Sequence, residues 1–242
     1  MEMKASSGGG RGGTGLGSVQ LDDIPSRGFV GRLSPAIAAE LIEGAPSVYY
    51  PPGSIIFSPG NGTTAALVVS GLLRYYMAGS DGRELTIRYV GPGDLVGTLI
   101  AERSDLNTRA QALKPSVLLH LDVDRAQALA QRRPELSQAF IDELVSRLRF
   151  AFRALAASAF MPVRVRVARD LLERAKMSGP LVAGLHLAVT QQSLADATGS
   201  VREVVARAIR ELRQEGAVAT ADDGITVLDP DVLSRLAALS VT

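Results

Sequence analysis

The residues whose types and spacing carry the most chemistry lie near the C-terminus, in LAVTQQSLADATGSVREVVARAIRELRQEGAVATADDGITVLD from Leu187 onward. Thr190 is placed to cap a short helix, QQSLADAT, which a turn at Gly199 separates from a second helix running from Val201 to about Gln214, before Gly216. Two short helices joined through a glycine make the helix-turn-helix pattern, whose second helix can enter a DNA major groove. Arg202, Glu203 and Arg207 fall near the start of that second helix. An arginine can donate two hydrogen bonds to guanine, and a carboxylate can accept from the cytosine amino group. Thr190, Gln191 and Gln192 are placed to meet phosphates and fix register, and Ser200 at the turn completes the candidate DNA-contacting set. Val204, Val205, Ala208, Ile209 and Leu212 supply the expected buried face. After them, GAVATADDGITVLD reads as two strands around a DDG turn, a wing. The two helices alone also suit an αα-hairpin with solvated arginines; the wing and the arginine-rich face favour DNA.

Elements upstream must position this unit. Pro162 interrupts the helical pattern and is expected to act as a hinge, because proline lacks the backbone donor and clashes with the preceding turn. From Val163 to Met177 the chain reads as one amphipathic helix, ended by Gly179 and Pro180. Before the hinge, Pro134 opens PELSQAFIDELVSRLRFAFRALAASAFM, with no further glycine or proline. Ser137, Ile141, Leu144, Leu148, Ala151 and Leu155 follow alternating spacings of four and three, a coiled-coil-like seam. A dimer interface of Ile141, Leu144, Leu148, Ala151 and Leu155 follows, although packing against the chain's own β domain fits the pattern too. A second stripe through Val145, Phe152 and Ala156 is expected to cover that domain.

Between Val48 and Asp122 short apolar runs alternate with PPG, SPGNG, SG, GSDG and GPGD. Expected strands are Ser54 to Phe57, Ala66 to Val69, Leu72 to Met77, Glu84 to Val90, Leu95 to Gly97, Thr108 to Ala112 and Val117 to Asp122. The fold class is therefore α+β: an antiparallel, jelly-roll-like β-roll, a long dimerisation helix and a winged helix-turn-helix. Ser34 to Ile42, with serine as cap and proline first, reads as a short helix. The expected division is a flexible Gly/Ser-rich tail over 1–20, a sensor domain over 21–133, a dimerisation helix over 134–161 and a DNA-binding domain over 162–242.

Composition narrows the functions. The formal charge of +1 leaves nucleic-acid binding to local clusters of arginine. With no cysteine, disulfides, thiolate zinc sites, cysteine-ligated iron–sulfur clusters and cysteine nucleophiles are excluded. No apolar run approaches the ~18 residues of a membrane span, and no signal peptide is visible, so a cytoplasmic protein without membrane contact is expected. No residues are assigned to catalysis or to a metal. A cupin-like metal enzyme would need clustered histidines, whereas the β segment holds only His120.

The order of parts resembles the Crp/Fnr family of transcription regulators. PPGSIIFSPG, VVSGLL, DGRELTIRYVGPGDLVG and TQQSLADATGSVREVVARAIREL carry the resemblance, which spans nearly everything from about residue 30. It implies double-stranded DNA and a second copy of the chain as partners, with RNA polymerase added if the protein activates. It also implies base reading by Arg202, Glu203 and Arg207, and a pseudo-palindromic site with half-sites about one helical turn apart.

The effector pocket departs from the cyclic-nucleotide pattern implied by the resemblance. Cyclic-AMP-binding members carry Gly-Glu for the ribose and Arg-Ser for the phosphate, where this chain has Gly97-Thr98 and Leu106-Asn107. A hydroxyl that meets the base aligns with Ala151. A leucine cannot replace a charge-assisted bidentate contact, so ordinary cyclic AMP control is not expected. Arg88 and Arg147 remain as candidate partners of a different, unidentified anionic small-molecule effector; otherwise they reach solvent or pair with a carboxylate such as Glu84. No cofactor is otherwise implied. Haem would need an axial ligand from His120 or His186, and His120 in VLLHLD reads as structural.

Overall fold

The computed structural model describes residues 14–15, 19–57, 65–97 and 107–238. Within them the N-terminal half forms two antiparallel sheets. One contains β1 (Thr14–Gly15), β2 (Ser47–Tyr50), β9 (Ser116–Leu121), β4 (Ala65–Ser70) and β7 (Leu95–Gly97), in the order β1-β2-β9-β4-β7. The other is ordered β3-β8-β5-β6, from β3 (Ile55–Phe57), β8 (Thr108–Ala112), β5 (Leu73–Ala78) and β6 (Glu84–Val90). The apolar run AALVV in β4 has no polar alternation, and a strand of that kind must be covered on both faces. Ala66 and Val68 point between the sheets with Leu73, Val90, Ala110 and Leu118. Ala65, Leu67 and Val69 point the other way, into a cover that includes Phe29, Leu41, Leu129 and Leu136. That cover comes from the loop around Phe29, from α1 (Pro35–Ile42), from α2 (Val123–Arg132) and from the first turns of α3 (Pro134–Phe160). The tight reversal after β4 depends on Gly71, at φ +100°, where a Cβ would stand 2.6 Å from the Pro115 carbonyl.

The seven expected strands are present within a residue at either end. β2 is an addition: SVYY lies directly before PPG, and its backbone pairs with both β9 and β1. The latter contact places Thr14 and Gly15, part of the expected flexible tail, opposite Tyr49 and Val48.

The long helix α3 runs 27 residues, about 40 Å, with Pro134 in its first turn. Its inner face lays Leu136, Ala139 and Phe140 on the core of the β domain. Its outer face carries Ile141, Leu144, Val145, Leu148, Phe152 and Leu155, all exposed, with Leu155 at 62%. The second stripe is thereby corrected. Val145 and Phe152 do not cover the β domain but widen the open seam, because on a helical wheel they flank Leu144, Leu148 and Leu155. Ser137 does not join the seam; its hydroxyl donates to the Ala130 carbonyl at 2.6 Å.

Helix α3 stops at Met161, which is extended, and Pro162 caps α4 (Val163–Ser178). A three-helix core follows from α4, α5 (Gln191–Thr198) and α6 (Arg202–Gln214), centred on Leu171, Leu194, Val205 and Leu212. A sheet ordered β10-β12-β11 edges it, from β10 (His186–Leu187), β11 (Val218–Ala221) and β12 (Gly224–Val227). Helix α7 (Pro230–Ala238) closes the unit through Leu233 and Ala237. Among the described residues no helix is long and apolar enough to cross a membrane.

The two halves touch. Leu85 of β6 bridges to Thr198 at the end of α5. The Tyr89 hydroxyl donates to Asp170 of α4, whose other oxygen accepts from Arg174 Nε at 2.7 Å. Arg174 in turn lies over the Tyr89 ring at 5.1 Å.

Candidate nucleic-acid interface and effector pocket

The turn between α5 and α6 is built by local chemistry. Thr190 caps α5, its hydroxyl accepting from the Ser193 amide at 3.0 Å while the Ser193 hydroxyl accepts from the Thr190 amide at 3.1 Å. The reciprocal pair fixes where the helix begins. At the other end Gly199 adopts the left-handed conformation (φ 61°, ψ 38°), and the amides of Gly199 and Ser200 both return to the Ala195 carbonyl. A left-handed residue at this point redirects the chain within two residues, which glycine does without a Cβ penalty. Helix α6 then starts at Arg202.

Arg202, Glu203 and Arg207 are all exposed on α6, and among the described residues none of the three side chains has a hydrogen-bond or ion-pair partner. Val205, Ala208, Ile209 and Leu212 are buried beneath them. Val204 is a correction: it is 37% exposed, because one residue before Val205 places it about 100° around the helix from that buried side chain and toward Arg207. Gln191 is exposed and unengaged, whereas Gln192 donates to Asp196 at 2.7 Å. Ser200 is half-buried at the turn. The wing tip carries Asp222 and Asp223, both exposed. Their charge disfavours close approach of a phosphate backbone to that tip, whereas α6 carries the exposed Arg202 and Arg207.

In the β domain, Arg88 and Arg147 share one counter-ion, and it comes from inside the chain. Glu143 of α3, 4% exposed, accepts from Arg147 Nε at 2.8 Å and Arg32 Nη1 at 3.1 Å, and forms an ion pair with Arg88 Nη1 at 3.2 Å. Arg88 Nη2 also donates to the Leu95 carbonyl at 2.7 Å, and Arg147 donates to the carbonyls of Leu95 at 2.8 Å and Gly97 at 2.5 Å. Burial first, then the neighbouring Arg147 charge, pulls Arg88 below the usual guanidinium range, while Glu143 opposes the shift. Glu84, named above as an example of a carboxylate partner, pairs with Arg74. Asn107 is half-buried, its carbonyl accepting from the Ala78 amide at 2.9 Å, and Ala151 is exposed on α3. Thr98 and Leu106 lie outside the described residues. Glu143 did not figure among the expected residues, although its spacing of four from Arg147 was a visible signal.

His120 makes a 2.8 Å hydrogen bond with the Tyr50 hydroxyl and meets Phe57 edge-on. His186 is exposed beside Thr226 and Asp223. Among the described residues no group of three or more His, Asp or Glu side chains is placed to hold a metal.

Comparison with known proteins agrees with this layout. A model of the cyclic nucleotide-binding domain matches residues 47–133, and one of the Crp-like helix-turn-helix domain matches residues 165–236. The Cyclic AMP receptor protein of Thermus thermophilus is 31% identical over 191 residues, covering 78% of this chain and 86% of its own. The chain belongs to the Crp/Fnr family. A CRP-like cAMP-activated global transcriptional regulator of Mycobacterium tuberculosis is 28% identical over 223 residues, covering 90% of this chain and 100% of its own. A solved CRP/FNR regulator from Thermus thermophilus superposes with a TM-score of 0.66 at 30% identity, covering 79% of this chain and 97% of its own. This Crp/Fnr protein is accordingly a DNA-binding transcription regulator and not an enzyme.

Proposed function

We propose that this Crp/Fnr regulator acts in the cytoplasm as a homodimer, reading a pseudo-palindromic DNA site through Arg202, Glu203 and Arg207 of two recognition helices. The division into a sensor over 21–133, a dimerisation helix over 134–161 and a DNA-binding domain over 162–242 belongs to the same reading. The observation that carries it is the conjunction on α6 of two arginines and a glutamate, exposed and unpaired among the described residues, directly after a left-handed glycine turn. Thr190, Gln191, Gln192 and Ser200 set the phosphate register. The exposed stripe from Ile141 to Leu155 supports the dimer. Burying one leucine is worth about 1.5–3 kcal/mol, so six large apolar side chains along one helix face favour a second helix over water. RNA polymerase is a further partner if the bound protein activates.

Control by cyclic AMP in the usual way is not part of the reading, although relatives bear that name. Thr98, Leu106 and Ala151 stand where the ribose, phosphate and base contacts of cyclic-AMP-binding members align, and Glu143 already pairs with the cations nearby. Sedimentation of the protein with a labelled duplex, combined with hydroxyl-radical footprinting, tests the proposal. Two chains per duplex and a two-fold symmetric footprint are expected. One chain per duplex with an asymmetric footprint would contradict it.

A further inference from the structure

Helix α6 exposes one large apolar side chain among charged and amide ones. Val204 is 37% exposed, whereas the other exposed side chains of the helix are Arg202, Glu203, Arg207, Arg210, Arg213 and Gln214. Directly before the helix, Val201 is 50% exposed. Its carbonyl accepts from the amides of Val204 and Val205, each at 3.1 Å, which fixes Val201 one turn ahead of Val204 on the same flank.

Neither valine serves the fold of this unit. The packed row of α6 runs through Val205, Ala208, Ile209 and Leu212, and neither Val201 nor Val204 belongs to the core beneath it. Val201 stands at the capping position, where a valine has no oxygen to offer the first amides. A β-branched side chain also loses rotamer freedom in a helix, so an exposed valine at 204 adds nothing to the stability of α6.

Their placement suits a contact with a base. Successive helical residues are about 100° apart, so Arg202 and Val204 stand on opposite flanks of the exposed face, about 160° apart, with Glu203 and Arg207 between them. Arginine and glutamate hydrogen-bond to base edges, and valine can do neither. The major groove presents one apolar group, the C5 methyl of thymine. That methyl projects on the side of the groove nearest its own strand, where a flank of an inserted helix passes.

We infer that Val201 and Val204 form an apolar patch that reads a thymine methyl in each half-site, beside the bases met by Glu203 and Arg207. The inference rests on the reading of α6 as the recognition helix. The contact takes the methyl and both valine side chains out of water together and needs no hydrogen bond.

Duplexes selected from a random pool by the full-length protein supply the half-site for the test. Each thymine is then replaced by deoxyuridine in one half-site, which deletes the methyl and keeps every hydrogen-bonding group. At one thymine the replacement should weaken binding roughly four-fold, the equivalent of burying one methylene-sized group. Val204→Ala should bring that ratio below about two-fold, and Val201→Ala should reduce it as well. Both positions are exposed and alanine is the better helix former, so the variants fold. Arg202→Ala should weaken binding but keep the thymine-to-uracil ratio. Val182→Ala, at an exposed valine outside α6, should change neither. Equal affinity for thymine and uracil at every position, or a ratio that survives Val204→Ala, overturns the inference and leaves base reading by Arg202 standing. A pool in which no half-site is enriched overturns both.

Discussion

Arg88 Nη1 and Glu143 Oε1 meet at 3.2 Å where the β domain packs on α3, with their side chains 7% and 5% exposed. One strand and one long helix are tied together by this contact. The same carboxylate gathers Arg32 and Arg147, so a single acidic group is shared among three cations in low dielectric. Removing one partner of a buried pair strands the other charge, which costs about 3–5 kcal/mol. Glu143→Gln is therefore expected to destabilise the protein by about 3 kcal/mol or more in chemical denaturation. A change below about 0.5 kcal/mol would show that the cluster contributes no net stability.

Cyclic AMP at about 1 mM is expected to leave both the melting temperature and DNA affinity unchanged. A dose-dependent rise in either would mean that Thr98, Leu106 and Ala151 do not prevent ordinary nucleotide binding, and that the Glu143 cluster yields to it.

Leu148→Glu places a charge in the middle of the exposed stripe on α3. The dimer dissociation constant, read by analytical ultracentrifugation, should rise at least ten-fold, about 1.4 kcal/mol, with DNA affinity falling in parallel. An unaltered dimer would show that the stripe is covered by something other than a second copy.

Tyr89 is the sensor's contribution to the contact with α4. Burial first, then the Asp170 carboxylate, raises its hydroxyl well above the usual tyrosine range. A folded pKa above the unfolded value of about 10 means that the native state holds the proton more tightly. The stabilisation is complete below about pH 10 and is lost as pH rises toward the folded value. Tyr89→Phe removes the hydrogen bond to a charged acceptor, at a cost of about 1.5–3 kcal/mol near neutral pH, and flattens the alkaline decline. Parallel denaturation of both proteins between pH 8 and about pH 11 checks this; superimposable alkaline slopes would refute the assignment.

Much of the architecture was readable because local rules and tertiary packing agree. The strands from Glu84 to Val90 and from Thr108 to Ala112 are bounded by turn residues and match their expected limits. The Thr190 cap and the Gly199 turn are written in residue types that need no partner elsewhere. Helix α7 could have been found the same way, since the Asp229 carboxylate accepts from the amides of Asp231 and Val232 just ahead of it. Other features had weaker signals or none. Tyr89 and Asp170 are 81 residues apart, and nothing in either neighbourhood announces the other. The inner face of α3 was obscured by its more regular outer stripe, although Glu143 and Arg147 held the spacing of a helical ion pair.

The central claim concerns DNA, and selection of bound duplexes from a random-sequence pool tests it most directly. The wild-type chain should enrich two inverted half-sites about one helical turn apart. Arg202→Ala should lose about 1–3 kcal/mol and relax the preference at one symmetric base position. Enrichment of no palindrome, or an equal loss on every sequence, would contradict base recognition by Arg202 on paired recognition helices.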